Sequence, residues 1–212
     1  MKKGTKLISL LLVLILTFSM LTGCSTTNPD NGKKDDGSNP NNTVKKDTLT
    51  VALTGEPPSL TTCDHDSLIS VYMNILTYNG LMRVDHATLE ILPDLAESYK
   101  TENDTDWIFK LKEGVKFHNG EEMTADDVVA SINWSKSFPA SASYTANIKS
   151  VETVDKYQVK IVTESAYAGL LADLAYHFNF IVPKSLIESN NDFNANPIGT
   201  GPYVFKEWQY GD

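Results

Sequence analysis

The chain has 212 residues, with 18 basic and 27 acidic side chains and a net charge of −9. The first 46 residues carry seven lysines and three aspartates, so residues 47–212 are more acidic than the chain as a whole. This acidity argues against a nucleic-acid partner, because binding phosphates requires clusters of lysine and arginine. With only two cysteines, the chain has neither a cysteine zinc finger nor a Cys-x-x-Cys redox pair.

The amino terminus is predicted to be a secretory signal. Three lysines within the first six residues precede an apolar run over residues 7–20, a pattern and length typical of a signal rather than of a spanning helix. The run ends in LTGC at residues 21–24, which resembles the lipobox of bacterial lipoproteins. The resemblance implies cleavage before Cys24 and a diacylglycerol on its thiol; the alternative is an uncleaved membrane helix.

Residues 25–46 are predicted to be a flexible linker. They are rich in Asn, Asp, Gly, Ser, Lys and Pro, and Val44 is their only aliphatic residue larger than alanine. Such a segment cannot bury enough apolar surface to fold. We therefore expect it to connect the anchor at Cys24 to a globular body that begins at about residue 47.

The first predicted elements of this body are a strand and a helix. Residues 48–54 alternate between apolar and polar side chains, which favours a strand, and the prolines that follow Gly55 end it. Apolar residues then recur at helical spacing from Leu68 to Leu76. Asp66 or Ser67 is expected to cap the start of this helix.

Further along the chain, strands and helices alternate irregularly. Strands are predicted over residues 107–111, over 148–153 paired with 157–163 as a hairpin, and over 178–182. Helices are predicted after a capping box at residues 124–127 and around residues 170–174. Without strict βαβ alternation, the fold class is predicted to be mixed α/β (α+β) in two lobes.

Three segments resemble a known family, the extracellular solute-binding proteins that deliver oligopeptides, dipeptides and sometimes nickel to ABC importers. The segments are residues 48–53 with the following Pro-rich turn, WIFKLKEGVKFHNG with MTADDV over residues 107–128, and PIGTGPY over residues 197–203. After Ser59-Leu60 the family usually continues with Asp-Pro, whereas Thr61 and Thr62 stand here. This departure bears on which substrate is bound more than on the fold.

The resemblance implies a periplasmic-binding-protein-like, two-lobed fold of which this chain holds the first lobe. Residues 47–79 and 165–212 would form that lobe, and residues 80–164 a small β-rich accessory domain beside it. The chain stops where the family would begin its second lobe. We therefore expect either a fragment of a longer protein or a truncated product that cannot enclose a ligand.

The implied function is substrate binding for an ABC import system, without catalysis or cofactor. Peptides would be captured outside the cell, at the outer face of the plasma membrane, and handed to a permease and its ATPase. In the family, main-chain groups pair with the peptide much as an added strand would. A peptide-sensing surface lipoprotein is the alternative.

The resemblance places His65, Asp66, Ser67 and Leu68 at the ligand cleft, with Thr200 and Gly201 near the hinge. Asp66 could bind a ligand cation, or it could merely cap its helix. The glycines at 199 and 201 could be required only for unusual φ angles.

Other chemistry is less favoured by the residues. Cys63-Asp64-His65-Asp66 contains metal-ligand types, but adjacent residues rarely converge on one ion, so no metal site is predicted. His118 is expected to be structural, and His177 to be isolated. No Gly-x-Ser-x-Gly, Walker or His-Glu-x-x-His motif is present, so no enzyme activity is predicted.

Overall fold

The structure is a computed structural model that describes residues 48–211. The predicted signal, lipobox and linker lie outside the described residues. The helices are α1 (Leu68–Thr77), α2 (Ala125–Ser135), α3 (Ala142–Thr145), α4 (Leu170–Asp173) and α5 (Lys184–Glu188), with short 3₁₀ turns at Pro139–Ser141 and His177–Asn179. The strands are β1 (Met82–Val84), β2 (Ile91–Pro93), β3 (Ala96–Thr101), β4 (Asp106–Leu111), β5 (Ile148–Asp155) and β6 (Gln158–Thr163).

The main sheet is antiparallel, with strand order β3-β4-β6-β5, and β1 and β2 form a separate two-stranded ribbon. In the main sheet, Trp107 pairs with Ile161 and Phe109 with Val159, and all four side chains are buried. Successive side chains of a strand point to opposite faces, so the alternation predicted for β4 is confirmed. The β5–β6 hairpin is confirmed as well, with the Tyr157 amide donating to Asp155 Oδ1 at 2.8 Å.

Helix α2 covers the buried face of this sheet. The predicted capping box is confirmed, and the Thr124 amide donates to Asp127 Oδ2 at 2.8 Å. Val128 and Ile132, one helical turn apart, are fully buried in the main hydrophobic core. The sequence pattern therefore identified both the start of α2 and the face that it buries.

Helix α1 is confirmed, but it buries polar side chains and exposes apolar ones. The buried residues of α1 are Ser70 and Asn74, and the polar atoms of these two side chains have no hydrogen-bond partner among the described residues. Four apolar or aromatic residues at helical spacing are instead 38–64% exposed: Leu68, Tyr72, Ile75 and Leu76. An apolar stripe normally faces a core, so this side of α1 is an exposed apolar surface.

Two predicted strands are wrong. Residues 48–54 form no strand, because neither face of this segment is buried: Leu49 and Val51 are 82% and 67% exposed. Residues 178–182 also form no strand. Their apolar side chains are buried, but the segment begins in a 3₁₀ turn and then runs extended, outside both sheets. A short buried apolar run does not distinguish these conformations.

The predicted helix at residues 170–174 is confirmed as the short α4. Leu170 and Leu174 are fully buried in the main core. Within residues 48–211 no helix is both long and apolar enough to cross a membrane.

Candidate functional site

The six residues predicted to contact ligand lie in two groups at opposite ends of α1. His65, Asp66, Ser67 and Leu68 precede or begin the helix, whereas the Gly201 amide donates to the Thr77 carbonyl at the other end. A helix of ten residues is about 15 Å long at about 1.5 Å per residue. The structure therefore does not bring the six residues together into one site.

Asp66 does not cap α1. The N-cap residue is Ser67, which makes no capping hydrogen bond through its side chain. The Asp66 carboxylate turns instead toward the segment before α5, where Tyr176 Oη donates to Asp66 Oδ1 at 3.1 Å. Its side chain stays 59% exposed. The capping role proposed as the alternative is therefore wrong, and the carboxylate is available at the surface.

His177 is not isolated, contrary to the sequence-based expectation. Its ring is fully buried and lies with Nε2 3.7 Å from Asp66 Oδ1. Nδ1 lies 2.9 Å from the Thr62 carbonyl oxygen, and because a carbonyl oxygen only accepts, Nδ1 carries the proton. Burial lowers the pKa of His177, opposed by the Thr62 carbonyl and by Asp66. At neutral pH the ring is therefore uncharged, with an unprotonated Nε2 facing a carboxylate.

Tyr176, whose hydroxyl donates to Asp66, belongs to a pair of stacked aromatic rings. The rings of Tyr144 and Tyr176 stack with centroids 4.3 Å apart and planes 3° from parallel. Both side chains are half-buried. Burial raises the pKa of Tyr176, and the neighbouring Tyr144 and Asp66 raise it further, so its hydroxyl stays protonated and donates to Asp66.

Sequence reasoning missed Tyr144 and Tyr176 because they are separated by 32 positions and belong to segments with no chemical motif. Tyr144 lies in the short helix α3, and Tyr176 directly precedes a 3₁₀ turn. Residues 176–179 are all polar or aromatic, which could have marked them as candidate site residues. The direction in which each side chain points depends on a 3₁₀ turn that sequence periodicity does not reveal. Asp66, Tyr144, Tyr176 and His177 are named here the Asp66 cluster.

At the other end of α1, Gly199 and Gly201 allow two backbones to touch. A Cβ on Gly199 would lie 2.2 Å from the Thr77 carbonyl oxygen, and one on Gly201 would lie 2.5 Å from the Thr77 carbonyl carbon. Neither glycine has a positive φ. The unusual φ proposed for them is therefore wrong; close backbone approach is what requires glycine here.

Hydrogen bonds from the turn at residues 118–120 hold this backbone contact in place. The His118 amide donates to the Gly199 carbonyl, and His118 Nε2 lies 2.9 Å from the Gly201 carbonyl oxygen. The expected structural role of His118 is consistent with these bonds. Thr200 Oγ1 donates to Asn79 Oδ1 at 3.0 Å, so its hydroxyl proton is engaged inside the protein. A ligand-binding role for Thr200 and Gly201 stays a prediction.

The described residues contain no group of three or more His, Cys, Asp or Glu side chains able to hold a metal ion. In the segment Cys63-Asp64-His65-Asp66, Cys63 is fully buried and His65 is exposed, so these side chains do not converge on one point. Burial raises the pKa of the Cys63 thiol. This keeps it protonated and unsuited to binding a metal.

Comparisons with known proteins agree with this architecture. The oligopeptide-binding protein AppA of Bacillus subtilis is 32% identical over 99% of this chain, which spans 40% of AppA. The solved structure of AppA with a nonapeptide matches 74% of this chain and 33% of that one, with 33% identity and a TM-score of 0.66. AgaA of A. tumefaciens R10 in complex with agropinic acid matches 74% of this chain and 33% of that one, with 30% identity and a TM-score of 0.68.

The chain thus spans well under half the length of these relatives. Residues 90–212, more than half of this chain, match the family described as bacterial extracellular solute-binding proteins, family 5 middle. The segments that carry the resemblance, around His118 and around Gly199–Gly201, meet in the structure at the end of α1. The chain belongs to the family 5 bacterial extracellular solute-binding proteins.

Proposed function

We propose that this protein is the substrate-binding component of an ABC import system and captures extracellular oligopeptides or dipeptides for a membrane permease. The observation that carries the proposal is the match to AppA in complex with a nonapeptide, at 33% identity over 74% of this chain. The role is binding and release, without catalysis or a cofactor. Family membership supports this, because the family is one of solute-binding proteins.

The predicted division into residues 47–79, 80–164 and 165–212 is retained as part of the proposal. It assigns α1 to the first lobe and the main sheet to an accessory domain. Under this division, the exposed apolar side of α1 and three members of the Asp66 cluster, Asp66, Tyr176 and His177, belong to the lobe that contacts ligand. The fourth member, Tyr144, belongs to the accessory domain. A peptide lying along this surface would find apolar side chains beside an exposed carboxylate.

We propose further that Cys24 carries a diacylglycerol that holds the protein at the outer face of the plasma membrane. The residues LTGC and the preceding apolar run support this. The Cys24→Ser variant should appear in the culture medium or the soluble periplasmic fraction instead of the membrane fraction. Wild-type protein and a Cys63→Ser variant serve as controls, and a Cys24→Ser variant that stays on membranes with its signal removed would refute the anchor.

The transport role is tested by peptide uptake in the source organism. Deleting the gene should abolish uptake of labelled di- to oligopeptides, and restoring the gene should recover it. Uptake of a labelled free amino acid serves as the control. Unchanged peptide uptake, with loss of a transcriptional response to peptides, would overturn transport in favour of a sensing lipoprotein.

A further inference from the structure

The buried polar atoms without a hydrogen-bond partner are concentrated in one part of the molecule. Among the described residues, five carry such a side-chain atom: Ser70, Asn74, Ser135, His177 and Asn179. The first two lie on α1, the third on α2 and the last two in the 3₁₀ turn at His177–Asn179. Because this turn packs against both helices, the five residues belong to one contact region, named here the polar seam.

Helix α2 directs a row of serines into the polar seam. Ser131 Oγ donates to the Val182 carbonyl at 3.0 Å and accepts from the Val182 amide at the same distance. Ser135 lies one helical turn further along the same face and is equally buried, yet its hydroxyl has no partner among the described residues. The face of α2 that meets the chain around the turn is therefore polar, in contrast to the face that covers the sheet.

Helix α1 meets the same turn through polar side chains only where it is fully buried. Ser70 and Asn74 are both 0% exposed, and they lie one helical turn apart on a single face. Neither the Ser70 hydroxyl nor either polar atom of the Asn74 amide has a partner among the described residues. A buried polar group left unpaired costs free energy, so a bonding partner is expected between α1 and the turn.

The chemistry of the unpaired atoms favours water over an ion. Asn74 offers a donor at Nδ2 and an acceptor at Oδ1, the two serine hydroxyls can do both, and Asn179 Oδ1 only accepts. A cation would leave Asn74 Nδ2 without an acceptor, and an anion would leave the Oδ1 atoms without a donor. Water donates and accepts, so it suits a mixed set that contains no carboxylate.

We propose that the polar seam encloses ordered water molecules that complete the hydrogen bonds of Ser70, Asn74, Ser135 and Asn179. These side chains have five unpaired atoms, and a buried water makes about three hydrogen bonds, so about two molecules are enough. They bridge α1 to the turn and the turn to α2. Helix α1 is then attached to the body of the protein partly through water, which leaves its apolar residues free to face outward.

A crystal structure of the mature protein purified from source-cell membranes tests the proposal without any substitution. We expect water oxygens within about 3.2 Å of the Asn74 amide and of Asn179 Oδ1. A seam in which these side chains bond directly to one another, or to residues outside the described part of the chain, would overturn the proposal.

Oxygen-17 magnetic relaxation dispersion counts long-lived internal water in solution. Asn74→Leu should lower the number of such molecules. The matched control is Asn133→Leu, because Asn133 also lies within a helix but is exposed, and it should leave the number unchanged. Equal counts in wild type and Asn74→Leu would contradict the proposal.

The sign of a stability change gives a third test, in a variant that removes a single oxygen. If water bonds to the Ser70 hydroxyl, Ser70→Ala leaves that water short of a partner and lowers the urea midpoint. If the hydroxyl is unpaired, the same variant removes a costly buried group and raises the midpoint. Ser143→Ala, at an exposed position of α3, measures the gain in helix propensity alone. A midpoint for Ser70→Ala above that of Ser143→Ala would overturn the bridging water.

Discussion

Helices α1 and α2 both carry apolar residues at helical spacing, but they lie in different environments. Helix α2 buries Val128 and Ile132 against the main sheet and starts with a capping box. Helix α1 buries Ser70 and Asn74, exposes its apolar residues and has an N-cap without a side-chain hydrogen bond. Helical spacing thus predicts that a helix exists, whereas which face turns inward depends on what the rest of the molecule offers it.

The largest expected difference between the two regions concerns apolar contacts. Leu111 in the sheet is fully buried, whereas Leu68 on α1 is 64% exposed. We expect Leu111→Ala to lower the free energy of unfolding by about 2–5 kcal/mol, and Leu68→Ala to change it by less than about 0.5 kcal/mol. Urea unfolding followed by circular dichroism measures both. A cost of several kcal/mol for Leu68→Ala would show that the exposed side of α1 is covered in the native protein.

The contact at the end of α1 should be the next most sensitive to substitution. A Cβ on Gly199 would lie 2.2 Å from the Thr77 carbonyl oxygen, so the two backbones must separate. We expect Gly199→Ala to destabilise the protein by about 1–3 kcal/mol, as a lower midpoint of thermal unfolding. Gly55→Ala is the control, because its Cβ would meet only Ile69 at 3.4 Å; equal effects of the two variants would contradict the close approach.

The helix starts supply a smaller, matched comparison. Thr124 takes part in the capping box of α2, whereas the Ser67 side chain makes no capping bond in α1. Thr124→Ala should cost about 1 kcal/mol, and Ser67→Ala should be close to neutral. Urea midpoints of the two variants decide the matter. If Ser67→Ala proved the more costly, the assignment of the α1 start would be in error.

The smallest expected effect is a pH dependence from His177. Burial lowers the pKa of His177 in the folded state, below the value of about 6.5 in the unfolded chain. The unfolded state then binds more protons in the range just below pH 6.5, so the contribution of the neutral ring to stability is complete above this pH and is lost as the pH falls.

Two variants test the sign of this dependence. The titratable groups facing the ring are Asp66 and the adjoining Tyr176. Because Asp66 opposes the shift, Asp66→Asn should lower the His177 pKa further, measured from the imidazole proton shifts by NMR. In His177→Asn the loss of stability between pH 7.5 and 5.5 should be smaller than in wild type. A His177 pKa above that of a free histidine would contradict this account.

Much of the fold could be predicted from the sequence where patterning and burial agree. Strand β4, the β5–β6 hairpin and the start of α2 follow from alternation, turn residues and a capping box that act locally. The strand expected over residues 48–54 did not form. A strand requires a neighbour and a buried face, and neither is encoded in the segment itself.

The candidate site was less predictable than the fold. Asp66 was expected at the ligand cleft, whereas Tyr176, which donates to it, and Tyr144, which stacks on Tyr176, come from distant segments whose approach depends on tertiary packing. The alternative reading of Gly199 and Gly201, an unusual φ, was wrong, because a close backbone contact with Thr77 leaves no trace in the local sequence. His177 looked isolated because the Thr62 carbonyl and Asp66 that surround it lie more than 100 positions earlier.

The central claim is that this family member captures peptides. Native mass spectrometry tests it most directly, on protein extracted from source-cell membranes and captured with an antibody against residues 47–212. The account predicts a protein whose bound ligands are short peptides that dissociate on denaturation, with their sequences read in the same experiment. The same spectrum gives the mass of the mature protein and of its lipid. Protein that carries no peptide, or that carries a metal chelate or another small solute instead, would contradict the claim.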